Sequence, residues 1–229
     1  MNVKNEAVGF ATGNAASELN DKYSNVKSVV FVALALWLGL FSFLAYQGVF
    51  VGSADSPPIP LFFGLAIPLT IFFAAYFGWR EFRTFVLSAD LRLVSAIQAW
   101  RWGGIGFLTL YAKGILPALF AFPAGLGDMA IGFTAPWIVL SLIRDRSFAS
   151  SRRYVMWNVL GIVDFVVAVS TGILSSGFFH GITEFNKYVT TNAMARLPLI
   201  LIPGYMVPLF TMLHLTALFQ VRHRRGKGF

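Results

Sequence analysis

Residues 154–175 read YVMWNVLGIVDFVVAVSTGILS, an apolar run of bilayer length with one carboxylate, Asp164, near its middle. A helix needs about 20 predominantly apolar residues to cross the ~30 Å of hydrocarbon in a bilayer, so this stretch predicts a membrane-spanning helix. Along it Gly161, Asp164, Ala168, Gly172 and Ser175 recur at steps of three and four, which places them on one face. Small residues let a neighbouring backbone approach closely, so Asp164 is expected to point into a bundle and away from lipid.

With this run, five further apolar stretches give an expected all-α polytopic membrane bundle of six transmembrane helices. They fall at 27–50, 59–78, 91–112, 121–143, 154–175 and 197–220. The third run is the least regular, being interrupted by Gln98, Arg101 and three glycines. The chain then divides into a polar N-terminal tail at 1–26, a transmembrane domain at 27–221 and a basic cytoplasmic tail at 222–229. The polar tail reads as a mobile segment or a surface helix. A secretory signal is the competing reading, but the following apolar run is about twice the length of a signal core.

Composition agrees with the class: of 229 residues, 57% are hydrophobic and 12% charged, with 24 Phe. Cysteine is absent, which excludes disulfides, thiolate metal sites and thiol catalysis. The net charge of +8 comes from basic residues that flank apolar runs, so it speaks for topology and against nucleic-acid binding. Lys27, Arg80, Arg83, Arg92, Arg144, Arg146, Arg152, Arg153, Arg222, Arg224 and Arg225 all fall on one side of a six-span bundle. Only Lys113, Lys187 and Arg196 fall on the other. That asymmetry predicts both termini in the cytoplasm and a multi-pass protein of the inner (plasma) membrane. On the external side, the loop at 52–58 ends in prolines suited to starting a helix, and 176–196 mixes Phe178, Phe179, His180, Phe185 and Tyr188 with polar residues as an interfacial segment would.

Ionisable residues inside the spans mark the candidate site. A charge near the bilayer centre costs about 2.5–3.5 kcal/mol on insertion scales, so it persists where it is paired, hydrated or used. The fourth helix repeats the small-residue face with Gly125, Asp128, Gly132 and Ala135, and the third carries Gln98 and Arg101 one turn apart. An Arg guanidinium has five donors, so Arg101 is expected to pair with Asp164, with Asp128 as a second partner or an external gate. His214 on the sixth helix and Asn158 on the fifth lie at similar depth, and with Gln98 they extend a polar path toward the cytoplasm. Such a series suits either a proton relay or a water-filled ligand cavity. The same pairs equally suit a device that fixes helix packing. Pro117, Pro123 and Pro136 around the fourth helix, and Pro198, Pro203 and Pro208 in the sixth, make those two helices the expected broken or moving elements.

Absences narrow the chemistry. His180 and His223 lie outside the spans, so no axial pair for haem exists, and no lysine inside a span offers a retinal Schiff base. No motif assigns a metal, a cofactor or a catalytic residue. The stretch LPALFAFPAGLGDMAIGFTAP at 116–136, followed by Trp157-Asn158, Asp164 and a Pro-rich sixth helix ending in Leu213-His214, resembles a group of small uncharacterised polytopic bacterial inner-membrane proteins. The resemblance covers the C-terminal half, implies a prokaryotic membrane protein and implies no activity.

The leading expectation is a small proton-coupled transporter or channel-like protein whose polar interior is lined by Arg101, Asp128, Asp164, His214, Asn158 and Gln98. The alternative is a non-catalytic subunit or scaffold of a larger membrane assembly, carrying pigment or electrons; an intramembrane enzyme is third. The expected partners are the lipid bilayer and either a second copy of the chain or membrane-complex subunits.

Overall fold

The computed structural model describes residues 3–52, 57–179 and 189–226, with side chains from Ser24 onward. His180, Phe185, Lys187 and Tyr188 of the expected interfacial segment, Asp55 of the first loop, and Lys227 lie outside the described residues. Every regular element among the described residues is helical. They are α1 (Val3–Tyr46), α2 (Ile59–Gly78), α3 (Arg80–Ser88), α4 (Leu91–Ile97), α5 (Ile105–Ala112), α6 (Ala118–Arg144), α7 (Arg152–Leu174) and α8 (Val207–Gly226), joined in part by short 3-10 and π segments.

Five helices are long and apolar enough to cross a membrane: Ser24–Tyr46 within α1, α2, α6, α7, and Ile202–Gly226, which joins a π segment to α8. Their outer faces carry bare apolar side chains, with Phe31, Leu36, Ile71, Phe77, Phe133 and Val166 each more than half exposed. In water such a surface would drive association, whereas lipid tails solvate it.

The third expected span is not one long helix. It runs as α4, a 3-10 segment over Gln98–Gly104, and α5. The interruption coincides with Gln98, Arg101 and the glycines at 103, 104 and 106, residues that contribute little to a regular apolar helix. The expectation that prolines would break the fourth helix is corrected, because α6 continues through both Pro123 and Pro136. A proline frees one carbonyl per site, and close neighbours make that tolerable in a spanning helix. The sixth helix does open with an irregular turn, a π segment at Ile202–Met206 containing Pro203 and Gly204. There Phe41 of α1 occupies the space a side chain at residue 204 would need.

Helix extends into both polar ends of the chain. The backbone from Val3 onward is already part of α1, whose sequence contains no proline to stop it. At the other end α8 extends to Gly226, so Arg222, Arg224 and Arg225 lie on its last turns.

The short helix α3 has no counterpart among the expected spans. An extended Trp79 breaks α2 from α3, and Arg83 then turns back so that its Nε donates to the Tyr76 carbonyl at 2.9 Å and its Nη2 to the Phe77 carbonyl at 2.8 Å. Those bonds close carbonyls left open at the end of α2. Phe82 and Val86 of α3 bury against Val26 and Phe72. The buried Gln220 of α8 donates to the Val86 and Ala89 carbonyls at 3.0 and 2.8 Å, which ties α3 to the same end of the bundle as the end of α8. Arg225 donates to the Ser150 carbonyl at 2.8 Å, so the basic loop between α6 and α7 meets that end too. At the start of α4, Asp90 accepts from the backbone N–H of Arg92 at 2.8 Å, and the Arg92 guanidinium holds its carboxyl below the usual carboxylate range.

Helix α6 is the hub of the interior. On one side it packs against α4, the 3-10 segment and α5, and on the other against α7, which in turn packs against α8. Leu91, Ile131, Ala135, Leu142, Tyr154, Trp157, Ala217 and Val221 form the largest apolar cluster of this core, toward the basic end.

Candidate functional site

The 3-10 segment delivers Arg101 into the middle of that hub. Its guanidinium is 1% exposed and meets side chains from three long helices. Nε donates to Asp128 Oδ1 of α6 at 2.7 Å, and Nη2 donates to Asp164 Oδ2 of α7. Nη1 donates to the Gly161 carbonyl at 3.3 Å and to His214 Nε2 of α8 at 3.0 Å. Four of the five N–H groups of the guanidinium are thereby used inside the protein. The Phe165 ring lies beneath, its centroid 3.9 Å from Cζ, so the cation also rests on an aromatic face.

The protonation of His214 follows from its neighbours. Arginine offers no acceptor, so Nε2 must accept and the ring proton must sit on Nδ1. Nδ1 then donates to Asn158 Oδ1 at 2.9 Å, and Asn158 Nδ2 donates to the Tyr154 carbonyl at 2.9 Å. The line is consistent in direction from end to end with a neutral imidazole. Beyond it the Tyr154 hydroxyl pairs with Ser95 Oγ at 3.1 Å. With both ring nitrogens engaged, His214 positions the guanidinium in this arrangement.

Five of the six candidate residues therefore meet: Arg101, Asp128, Asp164, His214 and Asn158. Gln98 stands apart. Its Nε2 donates to the Phe210 carbonyl at 3.3 Å, and its buried Oε1 has no hydrogen-bond partner among the described residues. The polar path expected through Gln98 toward the cytoplasm is thus not continuous with the cluster's hydrogen bonds.

Glycines set how near these elements come. A Cβ at residue 104 would lie 2.6 Å from Asp128 Cβ and 2.8 Å from the Gly125 carbonyl oxygen. At residue 132 it would run into the backbone of Arg101 and Trp102, at 127 into the Asp164 carboxylate, and at 161 into the His214 ring. Gly125, Gly132 and Gly161 belong to the small faces visible in sequence. Gly127 does not, and neither does Phe165; their adjacency to Asp128 and Asp164 is the only signal either carries.

The two carboxylates are less enclosed than the arginine, at 16% for Asp128 and 12% for Asp164. Asp128 lines a cavity of about 270 Å³ that lies toward the end opposite the basic loops. Its walls come from the first half of α2, the first half of α6, the second half of α7, the π segment and the 3-10 turn at Thr191–Ala195. Among the described residues Asp128 is the sole ionisable group on those walls. Counting Arg101 as positive, both aspartates as negative and His214 as neutral leaves the cluster one negative charge in excess. No group of three or more His, Asp or Glu among the described residues could hold a metal ion.

A protein-family model described as a domain of unknown function (DUF8737) matches residues 58–222, which take in all members of the cluster. No curated protein and no solved structure matches the chain.

Proposed function

The chain belongs to the DUF8737 family of unknown function, and from the cluster itself we propose a small proton-coupled transporter that spans the inner membrane of a bacterium. Six spans place both termini in the cytoplasm, with the interrupted third segment crossing as α4, the 3-10 segment and α5. At about 1.5 Å per α-helical and 2.0 Å per 3-10 residue that segment is roughly 36 Å long, sufficient for ~30 Å of hydrocarbon. The grouping of basic residues at one end of the bundle supports this orientation, and the resemblance of 116–136 to bacterial inner-membrane proteins supports the location.

One observation carries the reading: a buried guanidinium shared by two carboxylates, one of which faces a cavity. Two aspartates against one arginine leave room for one exchangeable positive charge, either a proton or a cationic solute. A carrier that must be loaded on one side and emptied on the other needs such a site at membrane depth. Asp164 and Asp128 hold the exchangeable charge, Arg101 keeps them together, and His214 with Asn158 fixes Arg101. The irregular turns at Gln98–Gly104 and Ile202–Met206 are where the bundle has backbone able to rearrange.

Proteoliposomes with a trapped pH dye test it. An imposed potassium diffusion potential should drive proton uptake faster through the wild type than through Asp164→Asn. Equal rates in the wild type, the variant and protein-free vesicles would sink the proposal.

A second reading has its own observation. Four of five guanidinium donors are satisfied internally, as a clamp that only fixes helix register would require. On that reading the chain is a non-catalytic subunit of a membrane assembly, and a charge-neutral double variant would fold and function like the wild type.

A further inference from the structure

We propose that the cavity beside Asp128 binds lipophilic amines, an apolar body with a protonated nitrogen at one end. The inference rests on the transport reading and gives its site a substrate class.

The shape supplies the first half of the case. The cavity's walls are mostly Phe, Leu, Val, Ile, Ala and Pro, and Phe107, Phe120 and Phe165 stand on them with Asp128. The polar groups on the walls are largely occupied: Thr191 Oγ1 donates to the Gly172 carbonyl at 2.6 Å, and Ser176 Oγ to the Ile173 carbonyl at 2.6 Å. Such walls favour an apolar ligand with few hydrogen-bonding groups.

Asp128 supplies the second half. Its Oδ1 receives Arg101 Nε, while Oδ2 has no hydrogen bond within the described residues. A carboxylate on the wall of an apolar cavity, in a cluster with more carboxylates than cations, selects a cationic N–H donor. An anion would meet Asp128 directly. A bare metal ion requires several oxygen ligands, and one free carboxylate oxygen does not replace its hydration.

Access fits a ligand that dissolves in lipid. The cavity fills a gap between Leu61, Phe62 and Leu65 of α2 and Phe165, Val169 and Ile173 of α7. Phe62 is exposed on the outer surface, so the gap approaches the lipid-facing side.

Equilibrium binding separates head group from body. Purified protein in detergent is titrated calorimetrically with 4-phenylbutylamine, 4-phenylbutanol and 4-phenylbutyrate, which share one body. The amine should bind at least tenfold more tightly than the alcohol, and the carboxylate should not bind. Asp128→Asn should weaken the amine about tenfold and bring it level with the alcohol. Ala168→Leu, which narrows the cavity without touching the ion cluster, should abolish binding of the amine while leaving the thermal midpoint within a few degrees of the wild type. Equal affinity for amine and alcohol in the wild type, or amine binding unaffected by Ala168→Leu, overturns the assignment. Displacement of the amine by short-chain phosphatidylethanolamine but not phosphatidylglycerol would assign the nitrogen to a lipid headgroup, and no displacement to a free amine; both keep the site. Because binding needs no flux, amine binding in a protein that moves no protons upholds the site and removes the transport reading. Proton uptake without amine binding does the reverse.

Discussion

The imidazole of His214 occupies the space that a side chain at residue 161 would need, so α7 and α8 meet where Gly161 lacks one. The same ring accepts from Arg101 and donates to Asn158. Gly161→Ala therefore does more than add a methyl group, since it pushes the ring out of both bonds. The expected cost is about 1–3 kcal/mol from overpacking and lost pairing, read as a lower unfolding midpoint in detergent. His214→Ala on that background should recover part of the loss, because the ring and the new methyl then no longer compete. Additive losses would show that the two residues are not coupled.

Arg101 and its carboxylates predict an order among charge variants. Arg101→Gln leaves two carboxylates buried without a cation and should cost about 3–5 kcal/mol. Asp164→Asn leaves Arg101 paired with Asp128 and the cluster neutral, so its cost should be clearly smaller. Combining Arg101→Gln with Asp164→Asn should fold better than Arg101→Gln alone. Chemical unfolding in a defined detergent ranks the three, and a double variant less stable than Arg101→Gln would contradict the pairing. If the double variant folds but no longer complements a deletion strain, the cluster does more than set helix register.

The helices of this fold were legible in sequence because lipid demands long apolar runs, and 154–175 or 59–78 can be little else. The inward faces were legible for a related reason: a carboxylate flanked by Gly and Ala at helical spacing has no place against hydrocarbon, as at Asp164 and Asp128. The interrupted third segment was visible as a weakness around Gln98 and Arg101, yet its near approach to Gly132 is a tertiary contact that periodicity does not encode. Helix α3 went unseen because nine residues between two spans are too short for an apolar run, and the bonds from Arg83 and Gln220 that anchor it come from side chains reaching carbonyls across gaps in sequence. The partners of His214 were not legible for a similar reason. A histidine among intramembrane aspartates suggests a relay, whereas its tautomer is set by Arg101 and Asn158, which only the packed helices bring together.

That tautomer is measurable. With Nε2 accepting from Arg101, nitrogen NMR on protein labelled at histidine should show His214 as the Nδ1–H form, with a bare Nε2. Asn158→Leu removes the acceptor for Nδ1–H and should weaken this preference, while the other two histidines stay unchanged. A His214 signal of the Nε2–H form in the wild type would break the hydrogen-bond line at its centre.

Topology can be tested without background, since the chain has no cysteine. Ser88 ends α3, whose last carbonyls are tied to Gln220, and Ser150 accepts from Arg225, so both lie at the basic end of the bundle. Asn192 lies by the cavity at the opposite end. In intact cells an impermeant thiol reagent should label Asn192→Cys and spare Ser88→Cys and Ser150→Cys, with the pattern reversed in inside-out vesicles. The third segment makes this a demanding test. If α4, the 3-10 segment and α5 entered and left the membrane on one side, the loop at Ser150 would move outside with Arg144, Arg146, Arg152 and Arg153, against the bias by which Lys and Arg are retained in the cytoplasm. Labelling of Ser150→Cys from outside would therefore overturn the six-span orientation and with it the placement of the Asp128 cavity on the external side.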